Sequence, residues 1–225
     1  MRWIRRGWYW YLDYWYIWWA QTLALLRRHP PTAFGTGDGA PVVLLAGVYE
    51  PWSLLRPSAQ ALSAAGHPVH VVAALGYNRA PIADAAATVM AYLVEHDLRS
   101  VVLVAHSKGG LVGKHVMVVD DGDGGVDRVE RLVAVATPFG GSTLAPLIPD
   151  PTVRALAPGA ETIAMLGANL AVNARITSIF GDYDPHIPEG SRLEGATNVE
   201  IPVVGHFRLL ADRRVIAAVV AAAAD

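Results

Sequence analysis

The chain has 225 residues, 53% of them hydrophobic and 17% charged, a balance that supplies one domain-sized core and excludes a disordered or fibrous chain. Lys and Arg number 18 against 20 Asp and Glu, a formal net charge of -2, so no basic field marks the chain for nucleic acid. There is no Cys, which rules out disulfides, thiolate metal sites and a cysteine nucleophile together.

The first element is unlike the rest. Six of the 7 Trp and four of the 8 Tyr fall within residues 1–20, MRWIRRGWYWYLDYWYIWWA. Residues 8–26 hold only Asp13, Gln21 and Thr22 as clearly polar positions, and their length is close to the roughly 20 residues that span a bilayer. At about 100° per residue, Arg2, Arg5, Arg6, Asp13, Gln21, Arg27 and Arg28 share one arc of a helix, and the remaining circumference is almost wholly apolar. Trp and Tyr favour the membrane interface over the hydrocarbon centre. Residues 1–29 therefore predict an aromatic amphipathic helix lying in a membrane surface. A spanning helix, or one packed on the rest of the protein or on a second copy, stays open. A secretory signal fits poorly, because the leucine-rich core and the small-residue cleavage site are missing.

Residues 30–41, PPTAFGTGDGAP, form a linker rich in Pro and Gly. Residues 42–225 then alternate regularly. Continuous apolar runs at 42–46, 69–73, 101–105, 132–136, 176–180 and 199–204 predict strands buried on both faces. Helical stretches at 82–96, 109–119, 161–171 and 209–224 lie between or after them. The implied fold class is α/β: a mostly parallel sheet of about six strands, helices on both faces, and a site at the carboxyl ends of the strands. DDGDGG at 120–125 spaces its acids closely, but counted from Asp121 it lacks the sixth-position Gly and twelfth-position Glu of a calcium loop. It is expected to be a polar turn, and no metal or cofactor is expected. Residues 142–175, with Pro146, Pro149, Pro151 and Pro158, leave room for one or two helices over the site.

The strongest chemical signal is VVLVAHSKGGLVGKHV at 101–116. A buried strand ends at Ala105, a turn carries His106, Ser107 and Lys108, and Gly109 and Gly110 open a helix. Such a turn lifts the Ser107 hydroxyl clear of the sheet and needs small neighbours so that strand and helix can approach. It also leaves the Lys108 backbone N–H facing a reacting carbonyl oxygen. Ala105 stands where G-x-S-x-G has its first glycine. A serine needs a histidine to take its proton and a carboxylate to hold that histidine. His206, in VVGHFRLL, follows the last strand on a glycine-preceded loop, whereas His29, His67, His70, His96, His106 and His115 are expected to be surface or packed residues. The carboxylate comes from the loop after the preceding strand, where Gly181, Asp184, Ile187 and Pro188 spell G-x-x-D-x-x-[IV]-P. Asp182 is the other candidate, better suited to capping. The order Ser107, Asp184, His206 is that of an α/β-hydrolase triad.

On these residues the chain resembles the α/β-hydrolase superfamily and, within it, small bacterial lipases and esterases without a large lid. The likeness runs from Pro41 to the last helix, on PVVLLAG at 41–47, VAHSKGG at 104–110, ITSIFGDYD at 176–184 and SRLEGATNVEIPVVGHFRLL at 191–210. Such lipases also tend to carry Ala at the Ala105 position. The resemblance implies cleavage of acyl or lipid esters through an acyl-enzyme, with Ser107 attacking, His206 as base and then acid, and Asp184 orienting the imidazole. The family's second oxyanion donor is the backbone N–H after a His-Gly pair closing the first core strand. Here the pair is Ala46-Gly47, so the donor carried over is Val48, without the histidine. Glu50 and Trp52 in GVYEPW are candidates for the acyl pocket, as is Phe139 in TPFGGS, which resembles a TP-x-x-GS loop bordering the site in related lipases. The same triad would serve a thioesterase, an acyltransferase or a cofactor-free haloperoxidase-like enzyme, and an idle fold would serve as a binding protein. Dehalogenation would need an aspartate at position 107. The aromatic helix implies peripheral attachment to a bacterial cytoplasmic membrane, with the cytoplasm as the location otherwise.

Overall fold

A computed structural model describes residues 2–26, 34–122 and 128–224, with side chains described from residue 8 to 22 in the first helix. Among the described residues, six strands form one sheet: β1 (Val42–Leu45), β2 (Val69–Val71), β3 (Val101–His106), β4 (Val129–Val135), β5 (Ile176–Tyr183) and β6 (Thr197–Val204). Their order is β2-β1-β3-β4-β5-β6, and every neighbouring pair is parallel. The chain winds outward from β1 to β2, then returns and winds the other way from β3. That reversal opens a crevice at the carboxyl ends of β1 and β3, where such sheets place their sites.

Alternation along each central strand divides the core into two layers. Val43, Leu45, Leu103, Ala105, Leu132 and Ala134 face α3 (Ile82–Glu95), α4 (Lys108–Gly122) and α6 (Glu161–Ala168). Val42, Leu44, Val102, Val104, Val133 and Val135 face α2 (Arg56–Ala64) and α7 (Arg213–Ala224). Each fully buried Val or Leu side chain contributes about 1.5–3 kcal/mol relative to exposure, which is why these strands read as unbroken apolar runs. β6 departs from the expectation of burial on both faces: it is an edge strand whose residues are only half-buried or exposed. An edge tolerates Pro202, whose missing N–H would break a central ladder.

The helices differ from the sequence reading in several places, α4 among them, which runs from Lys108 to Gly122 rather than over 109–119. α2 was not foreseen; its apolar stripe is only Ala59 and Leu62, too short to show a period, and Pro57 sits in its first turn. α7 begins at Arg213 rather than 209, because Leu209 and Leu210 belong to a tight turn at Arg208–Ala211 and Asp212 accepts the Arg214 N–H at 2.8 Å. α6 stops at Ala168. Between β4 and β5 it is joined by the single turn α5 (Pro151–Arg154), capped by Asp150.

α1 (Arg2–Leu26) is docked on the domain. Asp13 and Ile17 face inward at 0% and 8% exposure, while Trp8, Tyr11, Trp15, Trp18 and Trp19 are each more than half exposed. The arc holding Asp13 and Gln21 thus meets protein, and the aromatic side faces outward. Among the described residues no helix is long and apolar enough to cross a membrane, which removes the spanning placement. Residues 34–41 are irregular but held: Gly39 N–H donates to Gly66 O at 3.0 Å, His67 Nδ1 contacts Ala40 O at 2.9 Å, and Phe34 packs edge-on to Trp52. Asp120 and Asp121 lie in the last turn of α4 rather than in the expected polar turn: Asp120 accepts the N–H groups of Arg128 and Val129 at 2.8 Å each, and Asp121 pairs with Arg175. His29, residues 30–33 and 123–125 lie outside the described residues.

Candidate active site

β3 ends at His106 and α4 begins at Lys108, leaving Ser107 between them with φ 52°. A non-glycine residue in this region costs about 1–2 kcal/mol and persists only where its surroundings over-determine it. Here the Ser107 N–H donates to Val135 O at 2.9 Å, and the Ser107 carbonyl accepts from Gly110 N–H and Thr137 Oγ1 at 3.0 Å each. The glycines make the approach possible. A Cβ at Gly109 would lie 2.1 Å from Leu45 O, and one at Gly110 would lie 2.0 Å from Thr137 Oγ1. Ala105, buried in register between Leu45 and Ala134, has room for its methyl group.

His206 follows β6 after Gly205, whose φ is 122°. Its Nε2 lies 3.0 Å from Ser107 Oγ and its Nδ1 lies 2.6 Å from Asp184 Oδ2. Nδ1 therefore carries the proton shared with Asp184, and Nε2 is free to accept from the serine hydroxyl. Asp184 is the first residue past β5, and its Oδ1 accepts the N–H of His186 at 2.7 Å and of Ile187 at 3.2 Å. Asp182 lies inside β5 and is exposed. Burial works to raise the Asp184 carboxyl, but the charge and hydrogen bond of His206 and the His186 N–H hold it below its ordinary 3.8. Burial likewise opposes charge on His206, yet Asp184, then Glu50 and Asp13, raise it above 6.5.

The neighbouring loop after β1 is braced from below. Glu50, 2% exposed, accepts the Gly47 N–H at 2.9 Å and meets His106 Nδ1 at 2.8 Å; His106 Nε2 in turn faces the His206 carbonyl at 3.1 Å. Both ring nitrogens of His106 meet oxygen atoms, so the ring is held from two sides. Glu50 thus ties the loop after β1 to the end of β3. Its carboxylate is buried beside the candidate base. Asn78 Nδ2 donates to Ala46 O at 2.7 Å, and Tyr49 N–H to Tyr77 O at 2.8 Å. Val48 is half-buried on this turn, and among the described residues neither its N–H nor that of Lys108 makes a hydrogen bond. The Lys108 side chain turns away, buried, with Nζ 2.7 Å from Asn78 O and 2.5 Å from Ala80 O; burial lowers it to about 8.

Trp52 packs against Phe34 and the layer beneath α2 and α7, and Phe139 is buried in the opposite core layer. Both rings take part in the two core layers. Three residues escaped the sequence reading. His186 is half-buried with its ring 5.0 Å from that of His206 and 4.5 Å from that of Trp10, its pKa lowered chiefly by desolvation. Its Asp-Pro-His context gives no chemical signal. Thr137 is a bystander in sequence, visible only through the TPFGGS loop. Asp13 carries no signal beyond its place in an apolar helix. Glu50, His106 and His206 offer donor atoms within 4.8 Å of one another, but those atoms are already engaged by the hydrogen bonds above, and the cluster is explained without a cation.

The sequence matches no protein-family model and no curated protein. Solved structures do match by shape. A mature lipase of Bacillus licheniformis aligns with TM-score 0.57 at 18% identity, over 81% of this chain and 89% of that one. A monoacylglycerol lipase of Paleococcus ferrophilus aligns at 0.56 and 15%, over 84% and 97%. Lipase B of Aspergillus fumigatus aligns at 0.65 and 18%, over 85% of this chain but only 54% of its own. At these identities the likeness is one of architecture, and that architecture is the α/β-hydrolase fold.

Proposed function

We propose that this α/β-hydrolase-fold chain is a serine hydrolase that cleaves carboxylic esters of the acyl or lipid kind through an acyl-enzyme. The unbroken hydrogen-bond line from Asp184 through His206 to Ser107 carries this reading. His206 Nε2 takes the Ser107 proton as Oγ attacks the ester carbon, and the backbone N–H groups of Val48 and Lys108 receive the developing oxyanion. Collapse breaks the ester bond, and His206 returns the proton to the departing alkoxide. Water then repeats the cycle: His206 takes its proton, hydroxide attacks the acyl carbon, and Ser107 is released with the carboxylic acid. Asp184 stays ionised and favours the imidazolium formed in each half. Each oxyanion donor of this kind is worth about 10²–10³ in kcat.

The outward Trp and Tyr of α1 support a second part of the reading: the enzyme sits peripherally on a lipid surface, as Trp and Tyr prefer the headgroup level. A serine-directed fluorophosphonate, together with chromogenic esters of graded acyl length, tests the chemistry. Labelling of the wild type but not of Ser107→Ala, with ester turnover lost in that variant, is the expected result. Labelling without turnover of any ester would move the reading to thioester cleavage or acyl transfer on the same three residues.

A further inference from the structure

Helix α1 reaches the candidate base. Asp13, at 0% exposure, lies against the loop that follows β6. Its Oδ2 accepts the His206 N–H at 3.0 Å, and its Oδ1 accepts the N–H groups of Phe207 and Arg208 at 3.1 Å each. His186 Nε2 lies 3.4 Å from Oδ2. Gly205 leaves the space for this approach, because a Cβ there would sit 2.8 Å from Asp13 Oδ1. A carboxylate withdrawn from water is costly unless its oxygens are filled. Here they are filled only from the two segments that carry the candidate base and its partner carboxylate.

We infer that Asp13 is a positioning residue for the base loop, so that the aromatic helix is a working part of the active centre. The inference rests on the hydrolase reading of Ser107, Asp184 and His206. The charged and titratable groups around His206 are Asp184 and His186 from the segment after β5, His106 from the end of β3, Glu50 from the loop after β1, and Asp13 from α1. Burial works to raise the Asp13 carboxyl, but His186, the N–H groups of Arg208 and His206 and the His206 charge hold it below 3.8, so it remains an anion. An anion beside His206 favours the imidazolium that forms when Ser107 gives up its proton.

The experiment uses the full chain, a water-soluble ester, and the variants Asp13→Asn and Asp13→Glu. In D13N the charge is gone and an amide NH2 is set against backbone N–H donors. We expect kcat to fall about tenfold with KM held within about twofold, the pattern of a lost transition-state interaction. Removing an anion that raises His206 lets the ring deprotonate at lower pH. The acidic limb of kcat/KM and the His206 titration followed by NMR should therefore both move to lower pH. D13E keeps the charge, so both stay in place, while kcat falls by a smaller factor because the longer side chain displaces the loop. An unchanged kcat in D13N, or a lowered kcat with limb and titration unmoved, overturns the inference. The NMR titration needs no turnover: if His206 shifts in D13N while the wild type cleaves no ester, the hydrolase reading fails and the positioning role stands. If D13N does not fold, wild-type kcat in D13E overturns it instead.

Discussion

Ser107 is held in a left-handed conformation by groups whose removal has separable effects. In Gly109→Ala the new methyl would meet the Leu45 carbonyl at 2.1 Å, a backbone atom with little freedom to retreat. We expect a loss of about 1–3 kcal/mol, the usual range for overpacking, seen as a lower urea midpoint, together with weaker fluorophosphonate labelling. Glu50→Gln leaves the volume unchanged but removes the charged acceptor shared by Gly47 and His106. A buried group losing such a partner costs about 1–3 kcal/mol, and the turn bearing Val48 loosens with it. Thermal unfolding and kcat on a soluble ester should both decline, with KM little changed. Ser107, Asp184 and His206 were legible in the sequence because each follows a strand, and the strands were marked by their apolar runs. Glu50 was legible as a residue of interest but not as a brace, since its partner His106 is 56 positions away and only the fold brings them together.

At the scale of elements, the strands announced themselves because burial on both faces forces continuous Val and Leu. The exceptions are physical too. β6 carries apolar residues for one face only, and α2 is a nine-residue helix whose buried stripe is too short to show a period. α1 was legible as amphipathic, but which side meets the domain was not. The aromatic side outnumbers the polar side, and a single carboxylate that finds several backbone N–H donors outweighs that majority. The outward ribbon can be tested apart from the chemistry. Replacing Trp15 and Trp18 by Ser should abolish co-sedimentation with lipid vesicles while turnover of a water-soluble ester stays within about twofold, because these rings are exposed interface-seeking groups. Retained vesicle binding in that variant would remove the lipid surface as the partner of α1.

For the whole molecule, pH acts through a few buried groups. His206 must be neutral to accept a proton, and its pKa lies above 6.5. The acidic limb of kcat/KM is therefore expected above that value, measured on a soluble ester. A His raised in the folded state lends stability that is full below 6.5 and fades as pH climbs through its folded value. Asp13 and Asp184, both held below 3.8, act oppositely: their contribution is present above that value and is lost as pH falls through their folded values. Lys108 and Lys114 are each lowered by burial from 10.5 to about 8. Between those values the unfolded chain binds more protons than the folded one, so stability should rise with pH across that window. Unfolding midpoints of the wild type and of Lys114→Met check this, the variant showing the shallower rise. Finally, the contact between Asp13 and the His206 loop joins positions 193 apart, which bears on how the protein is made. Synthesis delivers the aromatic helix 193 positions ahead of the loop that anchors it, so over that stretch Asp13 has no docking site. Contacts of such long separation close slowly and leave apolar surface exposed meanwhile. The inward face of the helix is thus uncovered until the His206 loop has emerged.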